Sequence, residues 1–404
     1  MELGIFTGKP RFEYPLHVGK PNIGNKERFK QRVDEIFTNG WLTNDGPFVK
    51  KFESEVASHL DVENFISVCN GTMALELAIR ALGLSGEVIV PSFTFIAIPH
   101  TLFRLGIKPV FVDIDPNDLN ISIKNIEALI NSQTTGMIAV HTWGRPCDIK
   151  NLENLANQNN LKLIFDASHA FSVTSNGKKI GNFGDAEIFS FHATKFINSF
   201  EGGGVTTNND DTAEKVRLMR NFGFAGMDYV VSEGTNGKMS EINAAMGLTS
   251  LESVDQFREV NMQNYNRYRK RIESINGIIF LEYDTNTNPN YQYITIEVDS
   301  EDTILDRDEI ISILHAENVI ARRYFYPGCH KSEPYKSLFK GVEYNLPVTE
   351  EKVKLLICLP TGNAIGKEEI DGICDVLDYS ITNSLEIAAM LRSEDVKPVF
   401  EDRA

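Results

Sequence analysis

The sequence predicts an α/β protein: a mostly parallel sheet covered by helices on both faces, followed by a smaller α/β domain. Three observations predict it. Short apolar runs alternate with helical patterns from about Pro47 to Leu251. Several of those runs are continuously apolar, as in parallel strands buried on both faces. After Val254 the pattern changes to long helices with a polar face, then to a second strand–helix alternation ending near Asn383.

The elements follow in order. "NGWLTNDGPFVKKFESEVASHL" reads as a loop and then an amphipathic helix from about Pro47 to His59, with proline in the first turn and glycine just before it. "NFISVC" is a short β-rich run, and "MALELAIRAL" a helix. "EVIVP" is a strand, "IAIPHTLFRLG" a helix ending at Gly106, and "KPVFVDID" a strand. "GMIAVHTWG" is a strand, "IKNLENLANQNN" a helix and "LKLIFDAS" a strand, with "DAEIFSF" and "GGGVTTN" two more. Beyond them, "EINAAMGLTSLESVDQFREVNMQNYNRYRKRIESI" forms long helices. "YQYITIEV", a helix at about Arg307–Glu317, "NVIARRYFYP" and a helix near Lys367–Leu377 complete the second unit. The divisions are an N-terminal segment 1–46, a large domain 47–253, a small domain 254–383 and a tail 384–404. The tail is amphipathic and then charged, and no function is assigned to it.

Composition narrows the function classes. Of 404 residues, 42% are apolar and 24% charged, as in ordinary soluble proteins. A net charge of −16 argues against nucleic acid as a partner, so any anionic ligand must be held by local donors. The five cysteines (Cys69, Cys147, Cys329, Cys358, Cys374) are scattered without a CxxC pair. That pattern indicates neither a zinc site nor a disulfide framework, and it fits a cytoplasmic protein. No apolar run approaches the ~18 residues of a membrane span, and the N-terminus lacks the pattern of a signal peptide.

Three features carry chemistry. In "VCNGTMALELA" a strand ends, Asn70-Gly71-Thr72 turns, and a helix begins. Free N–H groups, the helix dipole and a threonine hydroxyl there suit a phosphate, although an ordinary capped turn looks the same. In "LKLIFDASHAF", Asp166 stands at the C-terminal end of a strand, where open α/β sheets bind ligands; taken alone it is equally a ligand's charge partner or a solvated loop residue. In "FSFHATKFINSFEGGGV", Lys195 follows a strand in which Ser190 and His192 alternate with Phe189 and Phe191 and so share a face. A semi-buried lysine with a lowered pKa suits Schiff-base chemistry, and the glycines beyond it allow tight turns and close ligand approach. Together, a phosphate turn, a strand-end carboxylate and a lysine match the needs of pyridoxal 5′-phosphate.

These segments resemble the DegT/DnrJ/StrS-type sugar aminotransferases, a branch of the aspartate aminotransferase-like pyridoxal phosphate fold. The resemblance runs in the family's order from about Gly40 to Tyr379, through "GWLTNDGPFVKKFE", "NGTMALELA", "VIVPSFTF", "PVFVDID", "FDASHAF", "SFHATKFINSFEGGGV", "GTNGKMSEINAAMG" and "RRYFYPGCH". It implies a seven-stranded sheet in the large domain. It implies that Lys195 holds the cofactor, that Asp166 pairs with the pyridinium nitrogen, and that His169 lies near the ring hydroxyl. Ser190, Gly71 and Thr72 would meet the phosphate, and Phe95 would stack on the ring unless it is simply core. His192 would lie in the substrate pocket with a catalytic part. Asn236 and Lys238 would reach into a neighbouring subunit's site, toward cofactor phosphate and substrate. Arg322, Arg323, Tyr326 and His330 are candidates for the diphosphate of a sugar nucleotide.

The resemblance further implies L-glutamate as amino donor, a pyridoxamine phosphate form, and a homodimer with shared sites. "NSFEGG", "HTWGRPCDI" and "TNDGP" look most like the branch aminating C4 of a dTDP-4-keto-6-deoxyhexose, a sugar class used in surface polysaccharides such as O-antigen. The alternatives are a 3-keto isomer or a UDP-linked sugar, and a catalytically silent binding module on the same fold. Relatives that act as dehydratases carry histidine in place of the lysine.

Overall fold

Seven of the apolar runs pair into one sheet. The computed structural model describes residues 1–393. The strands are β1 (Asn64–Val68), β2 (Glu87–Pro91), β3 (Lys108–Val112), β4 (Thr134–Val140), β5 (Lys162–Asp166), β6 (Ala186–Ser190) and β7 (Gly203–Thr207). Their spatial order is β1-β7-β6-β5-β4-β2-β3. All run parallel except β7, which is antiparallel to both β1 and β6. Residues 191–202, between β6 and β7, contain no helix to carry the chain back across the sheet, so β7 returns in the opposite sense.

That reversal builds an edge. Gly203, the first residue of β7, stands opposite Ser190 of β6 and Val68 of β1. The C-terminal ends of β1 and β6 and the start of β7 therefore meet. The sheet is apolar on both faces, as the continuous runs predict. Phe65, Phe165 and Phe189 pack on one side, and Ile66, Val68, Ile164 and Ile188 pack on the other. Helices that matter to the site are α1 (Lys26–Asn39), α2 (Pro47–Leu60) and α3 (Gly71–Ala81). Helix α3 follows β1 at once and is capped by Asn70, whose side chain accepts from the Met73 N–H.

"GMIAVHTWG" is strand only to Val140. The chain then turns at Thr142–Gly144, with fully buried Trp143 in the left-handed region at φ 51°. The long helical stretch is two helices, α4 (Glu241–Leu251) and α5 (Val254–Ile272). Helix α5 begins with Val254 and Phe257 in the core of the large sheet and ends with Tyr265, Tyr268 and Ile272 in a second core. That second core holds an antiparallel sheet of β8 (Ile278–Phe280), β9 (Ile294–Val298) and β10 (Leu356–Leu359). The sequence pattern did not signal β10, a short run following directly on a helix.

Both ends of the described residues join the second core. Leu16–His17 pairs in parallel with Val319–Ile320, and the Gly4 and Arg11 N–H groups donate to the Glu317 carboxylate at 2.6 Å each. The helix Lys367–Thr382 is α6, and the start of the tail is a further helix, α7 (Ser384–Ser393), burying Ile387, Ala388 and Leu391. The charged remainder of the tail lies outside the described residues. Among the described residues no helix is long and apolar enough to cross a membrane.

Candidate active site

Lys195 sits in the loop that joins β6 to β7, above the edge where three strands meet. Phe189 and Phe191 are buried below it, while Ser190 and His192 line the cavity, as their alternation predicts. The glycines beyond the lysine serve packing rather than turning. None of Gly202, Gly203 and Gly204 has a positive φ. A Cβ on Gly203 would lie 2.5 Å from the Asn70 carbonyl carbon, and one on Gly204 2.2 Å from the Phe65 ring. These residues let β7 lie directly against the Asn70-Gly71 turn. Gly71 in turn touches β6: a Cβ there would lie 2.8 Å from that of Ser190.

A cavity of about 600 Å³ opens at this edge. Gly71, Thr72, Phe95, Asp166, His169, Ser190, His192 and Lys195 all line it. Residues far apart in the chain thus converge on one volume at the C-terminal ends of the parallel strands. Phe95 is 58% exposed into it, which decides against a core role, whereas Phe93 is fully buried. The amides of Gly71 and Thr72 open α3 and have no acceptor within the helix.

The electrostatics favour a reactive amine. Burial lowers the Lys195 pKa from 10.5 to about 8, and the Asp166 carboxylate opposes that fall. Among the described residues the Lys195 ammonium has no hydrogen bond or ion pair. Asp166 Oδ1 accepts from the Ser168 N–H at 2.9 Å. Burial, and then the Lys195 charge, push the His169 pKa well below its usual value, so the ring is neutral. Its Nδ1 accepts from the Trp143 N–H at 3.2 Å, which leaves the proton on Nε2. His192 is exposed, with Nδ1 2.9 Å from the Thr194 hydroxyl and Nε2 3.6 Å from Glu201.

A second cavity of about 500 Å³ adjoins the first and shares Thr94, Phe95, Arg322, Tyr324 and Phe325 with it. Arg323 and Tyr326 line the second cavity and not the first. The Arg323 guanidinium lies 4.5 Å from the Tyr326 ring centre and 3.2 Å from Asp308. Arg322 stacks over Tyr324 at 5.3 Å.

Three predicted residues are elsewhere. His330 needs correction: it is buried and lines neither cavity. Its Nδ1 is 2.7 Å from the Ser92 hydroxyl and its Nε2 3.3 Å from Glu350, so both nitrogens are occupied in packing a loop. Asn236 is exposed and bridges Asn221 through its backbone. Lys238 donates to the Asn221 side chain at 2.9 Å. Neither lines the cavity of its own chain. Tyr293, Phe325, Thr194, Glu201 and Val18 line the first cavity without having been singled out. Phe325 lay inside a quoted motif. Val18 had no signal at all, because it arrives through the pairing of Leu16–His17 with a distant strand.

Residues 24–378 match the description "DegT/DnrJ/EryC1/StrS aminotransferase family". The chain belongs to that family. A dTDP-4-amino-4,6-dideoxy-D-glucose transaminase of Shigella dysenteriae is 37% identical, over 93% of this chain and all of its own length. A GDP-perosamine synthase of Vibrio cholerae is 32% identical, over 90% of this chain and 98% of its own. Among solved structures, DesI in the presence of its TDP-sugar product superposes with a TM-score of 0.92 at 41% identity, covering 96% of this chain and 99% of that one. The chain is a sugar aminotransferase with the α/β fold of its family, and its cofactor is pyridoxal 5′-phosphate.

The cavity fits that group. An unpartnered amine, a strand-end carboxylate, and a cradle of Gly71 and Ser190 so close that a Cβ would fill it are the donor set a phosphorylated aldehyde requires.

Proposed function

We propose that this aminotransferase moves an amino group from L-glutamate to dTDP-4-keto-6-deoxy-D-glucose, giving dTDP-4-amino-4,6-dideoxyglucose. The observation that carries the reading is the pair of high-coverage likenesses, to a dTDP-4-amino-4,6-dideoxy-D-glucose transaminase and to DesI, on a cavity with an intact Lys195 and Asp166. The 32% likeness to a GDP-perosamine synthase keeps the GDP-linked sugar as the second substrate to assay.

Pyridoxal phosphate, when bound, supplies an electron sink for charge developing on the substrate carbon. The chain's own residues do the rest. Lys195 holds the cofactor and, once freed, its Nζ takes a proton from the substrate carbon and returns it on the other side of the transfer. A pKa of about 8 suits both directions near neutral pH. Asp166 would pair with the ring nitrogen and keep it protonated, and His169 would offer its Nε2 proton to the ring hydroxyl. The amides of Gly71 and Thr72, with the Ser190 hydroxyl, would hold the phosphate, and Phe95 would cover the ring. His192, at the exposed rim, meets the sugar. Arg322, Arg323 and Tyr326 hold the nucleotide diphosphate in the second cavity.

The same reading makes the enzyme a cytoplasmic homodimer whose partner supplies Asn236 and Lys238. An exposed apolar run supports it: Phe222 is 46% exposed, Met227 96%, Tyr229 67% and Val230 53%. Five free cysteines fit a reducing compartment. The test is an assay of dTDP-, UDP- and GDP-linked 4-keto-6-deoxyhexoses with L-glutamate, reading 2-oxoglutarate and the mass of the amino-sugar. Turnover of the dTDP sugar ahead of the others is the expected result.

A further inference from the structure

The carbonyls on either side of Lys195 are both held by buried amides from outside the large sheet. Asn22 Nδ2 donates to the Phe196 carbonyl at 3.1 Å, and Gln292 Nε2 to the Thr194 carbonyl at 3.4 Å. Asn22 is fully buried and Gln292 6% exposed. They also bond each other, Asn22 Nδ2 to Gln292 Oε1 at 3.2 Å, and the Asn198 side chain returns to the Asn22 carbonyl at 2.7 Å.

The network does not stop there. Gln292 Oε1 also accepts from Asn261 Nδ2 at 3.0 Å, and Asn261 donates in addition to the Asn290 carbonyl at 3.1 Å. Asn290 Nδ2 then donates to the carbonyls of His169 and Phe171, at 2.9 and 3.1 Å, while its Oδ1 accepts from the Gln292 N–H at 3.1 Å. One chain of side-chain amides thus runs from the backbone around Lys195 to the backbone of His169. It draws on the N-terminal strap, on helix α5 and on the segment that leads into β9. None of these amides touches the cavity: neither Asn22, Asn261, Asn290 nor Gln292 lines it.

We infer that Asn22 and Gln292 are positioning residues for Lys195, and that this amide network fixes Lys195 and His169 relative to each other. The physical argument is selection between alternatives. Buried amides are costly to desolvate and are retained where every donor and acceptor finds a partner. Here both side-chain N–H groups of Asn22 and of Asn290 have one, while Asn261 Oδ1 is left without a partner among the described residues. In a loop of twelve residues (191–202) without regular structure, buried Phe191, Phe196 and Ile197 hold the segment, and these amide bonds fix the two carbonyls that flank Lys195. A displacement of about 1 Å at a reacting group costs on the order of 10²-fold in rate, so fixing both neighbours of the lysine bears directly on the reaction.

This rests on the reading of Lys195 as the cofactor-holding residue. The test is a pH titration, by absorbance, of the lysine-bound cofactor in the holoenzyme without any sugar, together with kcat, the KM for glutamate and the melting temperature. Gln292→Met removes the donor to Thr194 with little change in size. Asn22→Ser, the second variant, removes the donor to Phe196. Thr349→Val is the control: Thr349 is fully buried and, among the described residues, its side chain bonds only Asp113. The expected result is a shift of the absorbance midpoint by about half a pH unit or more in the amide variants. A fall of roughly 10-fold in kcat should accompany it, with KM nearly unchanged. Thr349→Val should lower the melting temperature and leave the midpoint in place. An unmoved midpoint and kcat in a folded Gln292→Met or Asn22→Ser holoenzyme would overturn the positioning role alone. Absence of any lysine-bound absorbance in the parent protein would overturn the assignment of Lys195 as well.

Discussion

Two loops flank the site, and they are built in opposite ways. Residues 191–202 bury Phe191, Phe196 and Ile197, leave Phe200 half-exposed against the Phe29 ring, and tie their backbone to Asn22, Gln292 and Asn243. Residues 222–238 leave theirs outside: Phe222, Met227, Tyr229, Val230 and Val231 all stand in solvent. The first loop is finished within one chain. The second exposes an apolar run of the kind that marks interaction sites. The difference bears on the proposed homodimer: the loop of Lys195 is held within one chain, whereas the segment that carries Asn236 and Lys238 leaves an apolar run exposed.

The comparison breaks most sharply at the lysine. Lys195→Ala is expected to lower kcat on the order of 10³-fold and to abolish lysine-bound absorbance while the protein still retains pyridoxamine phosphate. Full turnover in that variant would remove the inner loop from the chemistry. Asp166→Asn comes next, with an expected loss of roughly 10²-fold in kcat and an unchanged fold by circular dichroism. An unaltered rate would make Asp166 an ordinary strand-end carboxylate.

The outer loop is tested by charge. Val231→Asp, in the exposed run, should halve the mass seen by light scattering and reduce activity in step with the dimer lost. A variant that stays dimeric, or a monomer of full activity, would contradict the shared site. Complementation sharpens the point. Chains carrying Lys195→Ala, mixed with chains carrying an inactivating Asn236 change, should recover activity after exchange, since one hybrid site regains both residues.

Much of the inner half was legible in the sequence, because its signals are local. A strand end fixes Asp166, alternation fixes Ser190 and His192 against Phe189 and Phe191, and a helix start fixes Gly71 and Thr72. What was not legible depends on long-range pairing. The reversal of β7 depends on how the chain returns from the lysine loop. Val18 reaches the cavity only because Leu16–His17 finds Val319–Ile320. His330 shows the converse error: it lies in the right motif, but Ser92 and Glu350 turn its ring into the packing. The glycines after Lys195 were read as allowing tight turns and close ligand approach; the packing that excludes a Cβ was not legible, since the neighbours, Asn70 and Phe65, come from β1 and its turn.

The smallest effect is on stability without cofactor. The Lys195 pKa is about 8 in the folded chain against an ordinary 10.5. Between those values the unfolded chain holds a proton that the folded chain does not, so this group makes stability rise with pH across that window. Lys195→Met should flatten the rise, read as urea midpoints at pH 8 and pH 10 on cofactor-free protein. An identical slope in both proteins would place the amine in solvent.

The most direct measurement is the position of the new amine. Under the proposed function the diphosphate is anchored in the second cavity and the reacting amine is Lys195, so one sugar carbon would reach the reacting centre. Moving the ketone by one carbon displaces it by about a bond length, and ~1 Å costs on the order of 10²-fold. The enzyme should be given L-glutamate with dTDP-4-keto-6-deoxyglucose and its 3-keto isomer in competition, and the product read by NMR. The predicted result is an amine at C4 with the 3-keto sugar left behind; an amine at C3, or none on either sugar, would contradict it.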